Sequence, residues 1–195
     1  MPSEPGPAAA RLCFGAGLVP PGPVYWFTGL SGAGKSTLAS LSVVRLRERG
    51  AAVVYLDGDV LRAVFGHDLG YSEADRRICA GRNGRLCNAL AEQGLTVVCA
   101  TISLFHACHE WNRANISGYV EIFVRAPMEV LRARDRGHLY ARRGGGGELR
   151  NVVGIDIHEE QPRSPNLVVD NDGSKTPAQL VEEIFAALNL GVAPR

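Results

Sequence analysis

Gly29-Leu30-Ser31-Gly32-Ala33-Gly34-Lys35-Ser36, followed by Thr37, constrains this chain more than any other stretch. It fits G-x-x-x-x-G-K-[ST], a loop whose glycines let backbone N–H groups turn inward around a chain of phosphates. Such a loop needs a strand before it and a helix after it, because the helix adds its positive end to the cradle. Both are legible. Val24–Thr28 (VYWFT) is an apolar, aromatic and β-branched run that reads as a buried strand. Residues 35–49 have helical periodicity through Leu38, Leu41, Val44 and Leu46, and Gly50 stops them. In this frame Lys35 reaches the outer phosphates and the Ser36 hydroxyl holds Mg²⁺. Lys35 and Lys175 are the only lysines in a chain that otherwise takes its positive charge from arginine. A lysine inside the loop therefore argues for a compact ammonium at that point.

The rest of the chain alternates strand and helix patterns. A second strand spans 52–56 and ends at Asp57-Gly58-Asp59, a short helix spans 59–65, and a long helix runs from Glu73 to Gln93 behind Ser72 as N-cap. Strands at 95–100, 119–124 and 166–169 alternate with helices at 106–115, from Pro127 to Arg134, and from Pro177 to Leu190. This order predicts an α/β fold: a P-loop three-layer sandwich with a parallel five-stranded sheet and helices on both faces. Residues 138–154 are rich in glycine and arginine with no clear period, the length at which a loop is usually functional, and they read as a mobile lid. Residues 1–22, rich in Pro, Gly and Ala, read as a disordered leader; 23–190 form the domain and 191–195 a tail.

Composition removes several classes. A net charge of +1 gives no sign of a nucleic-acid or membrane partner. The five cysteines are odd in number and include no Cys-x-x-Cys, so they read as buried thiols in a reducing cytoplasm. No apolar run is long enough to span a bilayer.

A glycine loop of this kind does not by itself separate GTPases, motor ATPases and small-molecule kinases. No Asn-Lys-x-Asp is present to read guanine, and no transporter-type signature loop occurs. A small P-loop chain with an arginine-rich loop reads as a kinase, in which the lid excludes water and Arg142 and Arg143 approach the transferring phosphoryl group. Asp59, at the carboxyl edge of the second strand, is placed to take a proton from an acceptor hydroxyl or to hold Mg²⁺ through water. Its alternative is to cap the helix through Leu61, and the two roles are compatible.

Taken together, GLSGAGKST, YLDGDVLR, DLGYSEADRR and RDRGHLY…GELRNVVGID…EEQP resemble adenylyl-sulfate kinase over residues 24–189, in order. The resemblance implies transfer of the γ-phosphate of ATP, with Mg²⁺, to the 3′-hydroxyl of adenylyl sulfate in the cytoplasm, and a possible homodimer. It implies catalytic roles for Lys35 and Asp59, with Asp59 as base. Arg62 and Arg76 would hold the acceptor nucleotide, Tyr71 would pack on its base, and Ile102 and Ser103 would begin a further acceptor-binding segment. Arg134, Leu139, Tyr140, Glu148, Gly154, Ile155 and Asp156 match the lid region.

The departures fall on the acceptor side. Cys79-Ala80-Gly81-Arg82 stands where the family has Asn-Ile-Arg-Arg, Leu104 replaces a proline, the segment HACHEWNR replaces an arginine-containing one, and Val152 replaces the lid phenylalanine. An extra glycine lies within 144–147. Replacing Phe by Val removes one wall of an aromatic sandwich around a purine, where base stacking is worth about 1–3 kcal/mol. This combination resembles an offshoot acting on cytidine diphosphoramidate, whose smaller pyrimidine suits a less aromatic pocket. A nucleotide-binding regulatory protein without catalysis is the alternative of a different class; the presence of Lys35, Ser36 and Asp59 argues against it. His106 and His109 share a helical face as a possible metal pair, but a surface or acceptor-pocket face is the preferred reading. Cys79, Trp111, and Leu180, Ile184, Phe185 and Leu188 read as packing residues.

Overall fold

The computed structural model describes residues 19–135, 140 and 151–190. Most of the expected leader, the tail and much of the expected lid, including Leu139, Arg142, Arg143 and Glu148, lie outside the described residues.

The elements alternate along the chain: β1 Val24–Thr28, α1 Lys35–Glu48, β2 Val53–Asp57, α2 Gly58–Val64, α3 Glu73–Ala91 and β3 Thr96–Ala100. They continue with α4 His106–Asn115, β4 Tyr119–Arg125, α5 Met128–Arg134, β5 Leu167–Asp170 and α6 Pro177–Ala187. The strands form one five-stranded sheet in the order β2-β3-β1-β4-β5, and every pairing is parallel. The three-layer architecture expected from the alternation is what forms.

Strand periodicity divides the core in two. Tyr25, Phe27, Val98, Ala100, Ile122 and Val124 face one side, where they meet Leu38 and Val43 of α1 and Leu180 and Ile184 of α6. Val24, Trp26, Val97, Cys99 and Phe123 face the other, against Ala80 and Cys87 of α3 and Cys108 of α4. Because both faces are covered, all five β1 side chains are buried. Trp26 and Phe27 have no exposed area, and side chains of this kind contribute about 1.5–3 kcal/mol each on burial.

Where boundaries differ from the sequence reading, local geometry accompanies the shift. Asn166 is not the first residue of β5; its side-chain Oδ1 instead accepts the Glu121 N–H of β4 at 2.8 Å. Pro127 is the N-cap of α5 with an extended ψ of 147°. Helix α6 stops at Ala187 because Asn189 turns to φ 52° and the Leu190 N–H closes back onto the Phe185 carbonyl at 2.9 Å.

The sheet order places the site. From β1 the chain moves outward to β2 and returns through β3 on one side, then crosses to β4 and β5 on the other. The switch in direction falls at the carboxyl end of β1, where open α/β sheets hold ligands. The glycine loop begins there.

Candidate active site

The loop from Gly29 to Gly34 runs from the end of β1 into α1, and two of its glycines are required by neighbours. A Cβ on Gly29 would lie 2.2 Å from the Val124 carbonyl oxygen of β4, and one on Gly34 would lie 2.4 Å from Asn171 Nδ2. Both also take positive φ, 148° and 99°. Gly34 is the N-cap of α1 and has no capping side chain, so the first N–H groups of the helix remain available to a ligand.

A cavity of about 1010 Å³ opens over this loop and continues to α2, α3 and the segment after β3. Its volume is at the upper end of ordinary small-molecule sites, consistent with two ligands side by side. Ser31, Gly32, Gly34, Lys35, Ser36 and Thr37 line one end. Gly29, Leu30 and Ala33 stand behind them: Gly29 admits β4, Ala33 is buried, and the Leu30 carbonyl accepts from Lys35 Nζ at 2.7 Å. Lys35 itself is 8% exposed. Burial pulls its ammonium down to about 8, opposed by the charges of Asp59 and then Asp57.

Ser36 Oγ donates to Asp57 Oδ2 at 2.7 Å, and the Tyr55 hydroxyl donates to the same oxygen at 3.1 Å. Asp57 Oδ1 accepts the Asp59 N–H at 3.0 Å. Asp57, not Asp59, is therefore the N-cap of α2, and Asp59 keeps its carboxylate free of capping, on the cavity wall. The Ser36 hydroxyl and the Asp57 and Asp59 carboxylates form a hard-oxygen set that suits Mg²⁺, which takes one or two carboxylates and completes its shell with water and substrate phosphates. Among the described residues no group of three or more His, Cys, Asp or Glu could hold a metal ion, and His106 and His109 each meet a backbone carbonyl. His106 Nε2 lies 2.9 Å from the Gln161 carbonyl oxygen. His109 is buried and its Nε2 donates to the Ser103 carbonyl at 2.8 Å, steadying a residue with φ 25°. Burial lowers the pKa of His109, against the opposing charge of Glu121.

The other end of the cavity is built by α2 and α3. Tyr71 is 57% exposed, and its ring lies under two guanidinium groups, Arg62 at 4.6 Å and Arg76 at 5.3 Å. Backbone carbonyls hold both arginines. Arg62 donates to Gly70 at 3.0 Å, and Arg76 donates to Tyr71 at 3.0 Å and to Asn151 at 2.9 Å. Burial and the neighbouring Arg62 lower the pKa of Arg76. Ile102, Ser103 and Val152 line the same end. The Ile102 carbonyl accepts from Thr28 Oγ1 at 2.6 Å, Ser103 Oγ pairs with Thr101 Oγ1 at 2.9 Å, and the Val152 N–H donates to Asp156 at 3.0 Å. Cys79 is buried and lines the cavity.

Arg134 also reaches the cavity. It donates to the Asn171 carbonyl at 3.2 Å and to Asn171 Oδ1 at 3.3 Å, while Asn171 Nδ2 donates to the Ala33 carbonyl at 2.8 Å. Tyr140 donates its hydroxyl to the Ser31 carbonyl at 2.8 Å. Asn171 and the capping role of Asp57 escape the sequence reading. Both follow the ends of strands, and the rule that drew attention to Asp59, ligands at the carboxyl edge of the sheet, applies equally to them.

The family model for adenylylsulphate kinase matches residues 21–170. The chain belongs to the adenylylsulphate kinase family. It is similar to an adenylyl-sulfate kinase of Paraburkholderia xenovorans, 43% identical over 152 residues, 77% of this chain and 84% of that one. It is also similar to a probable bifunctional SAT/APS kinase of Sorangium cellulosum, 41% identical over 173 residues, 88% of this chain. There it spans only 29% of the relative's length. Among solved structures it resembles an APS kinase of Mycobacterium tuberculosis in complex with AMPPNP and APS, with TM-score 0.78 and 33% identity over 87% of this chain and 99% of that one. No helix among the described residues of this adenylylsulphate kinase family member is long and apolar enough to cross a membrane.

Proposed function

We propose that this protein transfers the γ-phosphate of ATP to the 3′-hydroxyl of adenylyl sulfate. The observation that carries the reading is one continuous cavity with the glycine loop at one end, Arg62, Tyr71 and Arg76 at the other, and Asp59 on its wall. The solved APS kinase with AMPPNP and APS, similar over nearly its whole length, supports two nucleotides in such a space.

In this reading the glycine loop and the α1 N-terminus bind the triphosphate, and Lys35 lies against its outer phosphates. A bound polyanion restores the charge that burial disfavours on Lys35. Ser36 and Asp57 would hold Mg²⁺, which would neutralise charge on the β- and γ-phosphates. Tyr71 stacks on the acceptor base while Arg62 and Arg76 hold its phosphate. Asp59 takes the proton of the acceptor hydroxyl as the new O–P bond forms and the bond from γ-phosphorus to the bridging oxygen breaks, releasing ADP. Positioning and charge neutralisation supply most of the catalysis in such in-line transfers. Arg142 and Arg143 belong to the same proposal as lid arginines, a cytoplasmic location goes with it, and a homodimer is its quaternary counterpart.

A second acceptor is favoured by a specific feature. Val152 is buried on the acceptor wall, where the resemblance leads one to expect an aromatic ring, so a cytidine-diphosphate-linked acceptor such as cytidine diphosphoramidate competes. Parallel assays with ATP, Mg²⁺ and each acceptor decide. Formation of 3′-phosphoadenylyl sulfate at the higher kcat/KM supports the first reading, and preference for the cytidine compound replaces it with the second. ATP-dependent transfer to neither sinks both.

A further inference from the structure

One side chain at the acceptor end has no work in the scheme above. Asn83 stands on α3 in line with Arg76, Cys79 and Ala80, at i+7, i+4 and i+3 from them, which puts all four on one helical face. All four line the cavity. Asn83 has no exposed area, and neither Nδ2 nor Oδ1 has a hydrogen-bond partner among the described residues. Other buried asparagines use at least one end of the amide. Asn171 uses both amide atoms, on Ala33 and Arg134, and Asn112 donates to the Tyr119 hydroxyl at 3.4 Å although its Oδ1 has no partner among the described residues. A buried carboxamide that makes neither bond weakens the free protein, and a leucine would fill the same space without that cost. A wall position that keeps the amide is explained if a ligand completes it.

We propose that Asn83 is a specificity-determining residue for the acceptor: its carboxamide donates from Nδ2 and accepts at Oδ1 to a bound nucleotide-linked acceptor that presents a hydrogen-bond acceptor beside a donor. The inference rests on the reading of this end of the cavity as the acceptor site. Two parts of such a molecule carry that chemistry. One is the edge of a base with an amino group next to a ring nitrogen, which an asparagine amide pairs in bidentate fashion. The other is a terminal group beyond the phosphate that offers N–H and oxygen together.

The test compares the wild type with Asn83→Leu and Asn83→Asp by steady-state kinetics and thermal unfolding. The acceptors are adenylyl sulfate, its analogue lacking the 6-amino group, and cytidine diphosphoramidate. The expected result for Asn83→Leu is an acceptor KM raised about tenfold or more, with the KM for ATP unchanged and a melting temperature no lower than wild type. Asn83→Asp, which keeps the shape but loses the donor, raises the acceptor KM as well. If the base edge is the partner, removal of the 6-amino group weakens wild type and leaves Asn83→Leu indifferent; if the terminal group is the partner, both lose equally. An unchanged acceptor KM in Asn83→Leu for every acceptor that wild type uses overturns the proposal. Should Asn83→Leu fail to fold, Asn83→Ser with acceptor binding followed by calorimetry gives the same comparison. Wild type that phosphorylates none of the acceptors refutes the site reading first, before any variant is made, and takes this inference with it.

Discussion

Ser36 Oγ donates to Asp57 Oδ2 at 2.7 Å, joining the glycine loop to the end of β2 across 21 residues of chain. The other oxygen of that carboxylate caps α2, so one side chain aligns the hydroxyl proposed to hold Mg²⁺ and the helix that carries Asp59 and Arg62. Asp57→Ala is expected to remove both functions. Loss of the cap costs about 1 kcal/mol of stability, read by denaturant unfolding. Activity falls roughly a hundredfold or more and a higher Mg²⁺ concentration is needed for half-maximal rate, because metal and hydroxyl lose their shared partner. An Asp57→Ala enzyme with wild-type Mg²⁺ dependence would remove Asp57 from the metal site.

Lys35 gives a pH dependence of stability in the nucleotide-free protein. Its folded pKa is about 8, lowered from 10.5 chiefly by burial. Between those values the unfolded chain binds more protons than the folded one, so stability rises with pH across that window. Below pH 8 the buried charge is a constant penalty. Lys35→Met should flatten the rise from pH 8 to 10.5 and abolish phosphoryl transfer while the fold survives. A rise that persists unchanged in Lys35→Met would assign it to another group.

Asp59 is not used as a cap, so Asp59→Asn should leave thermal stability near wild type. Its kcat is expected to fall about 10²- to 10⁴-fold, the range for loss of a general base, with the KM for ATP unchanged. A kcat within a factor of three of wild type would remove Asp59 from proton transfer and leave it a positioning role.

Tyr71 spends its ring on two arginines and on solvent rather than on the core. Tyr71→Ala should therefore cost little stability but raise the acceptor KM by roughly 5- to 150-fold, the equivalent of about 1–3 kcal/mol of stacking. Tyr71→Phe keeps the ring and should stay near wild type. If both substitutions raise the KM equally, the hydroxyl and not the ring is what the acceptor meets.

Much of this protein is legible in its amino-acid sequence alone. The glycine loop, the strand feeding it and the helix leaving it lie within a few residues of one another, and their conformations depend on short-range sterics and hydrogen bonds. The alternation of strand and helix patterns is enough to predict a parallel five-stranded sheet, because parallel strands require crossovers and crossovers have one favoured hand. Helix α4, read as 106–115, forms over those same residues. Tertiary structure decided which side chains converge. Asn171 reaches Ala33 across 138 residues, Arg76 reaches Asn151 across 75, and Asp57 rather than Asp59 caps α2. Those meetings depend on the order and register of parallel strands, set by the packing of the two cores on either side of the sheet, and no local pattern encodes them. The unpaired amide of Asn83 belongs to the same class: whether a polar side chain finds a partner is a property of its whole surroundings, and only the packed fold supplies those.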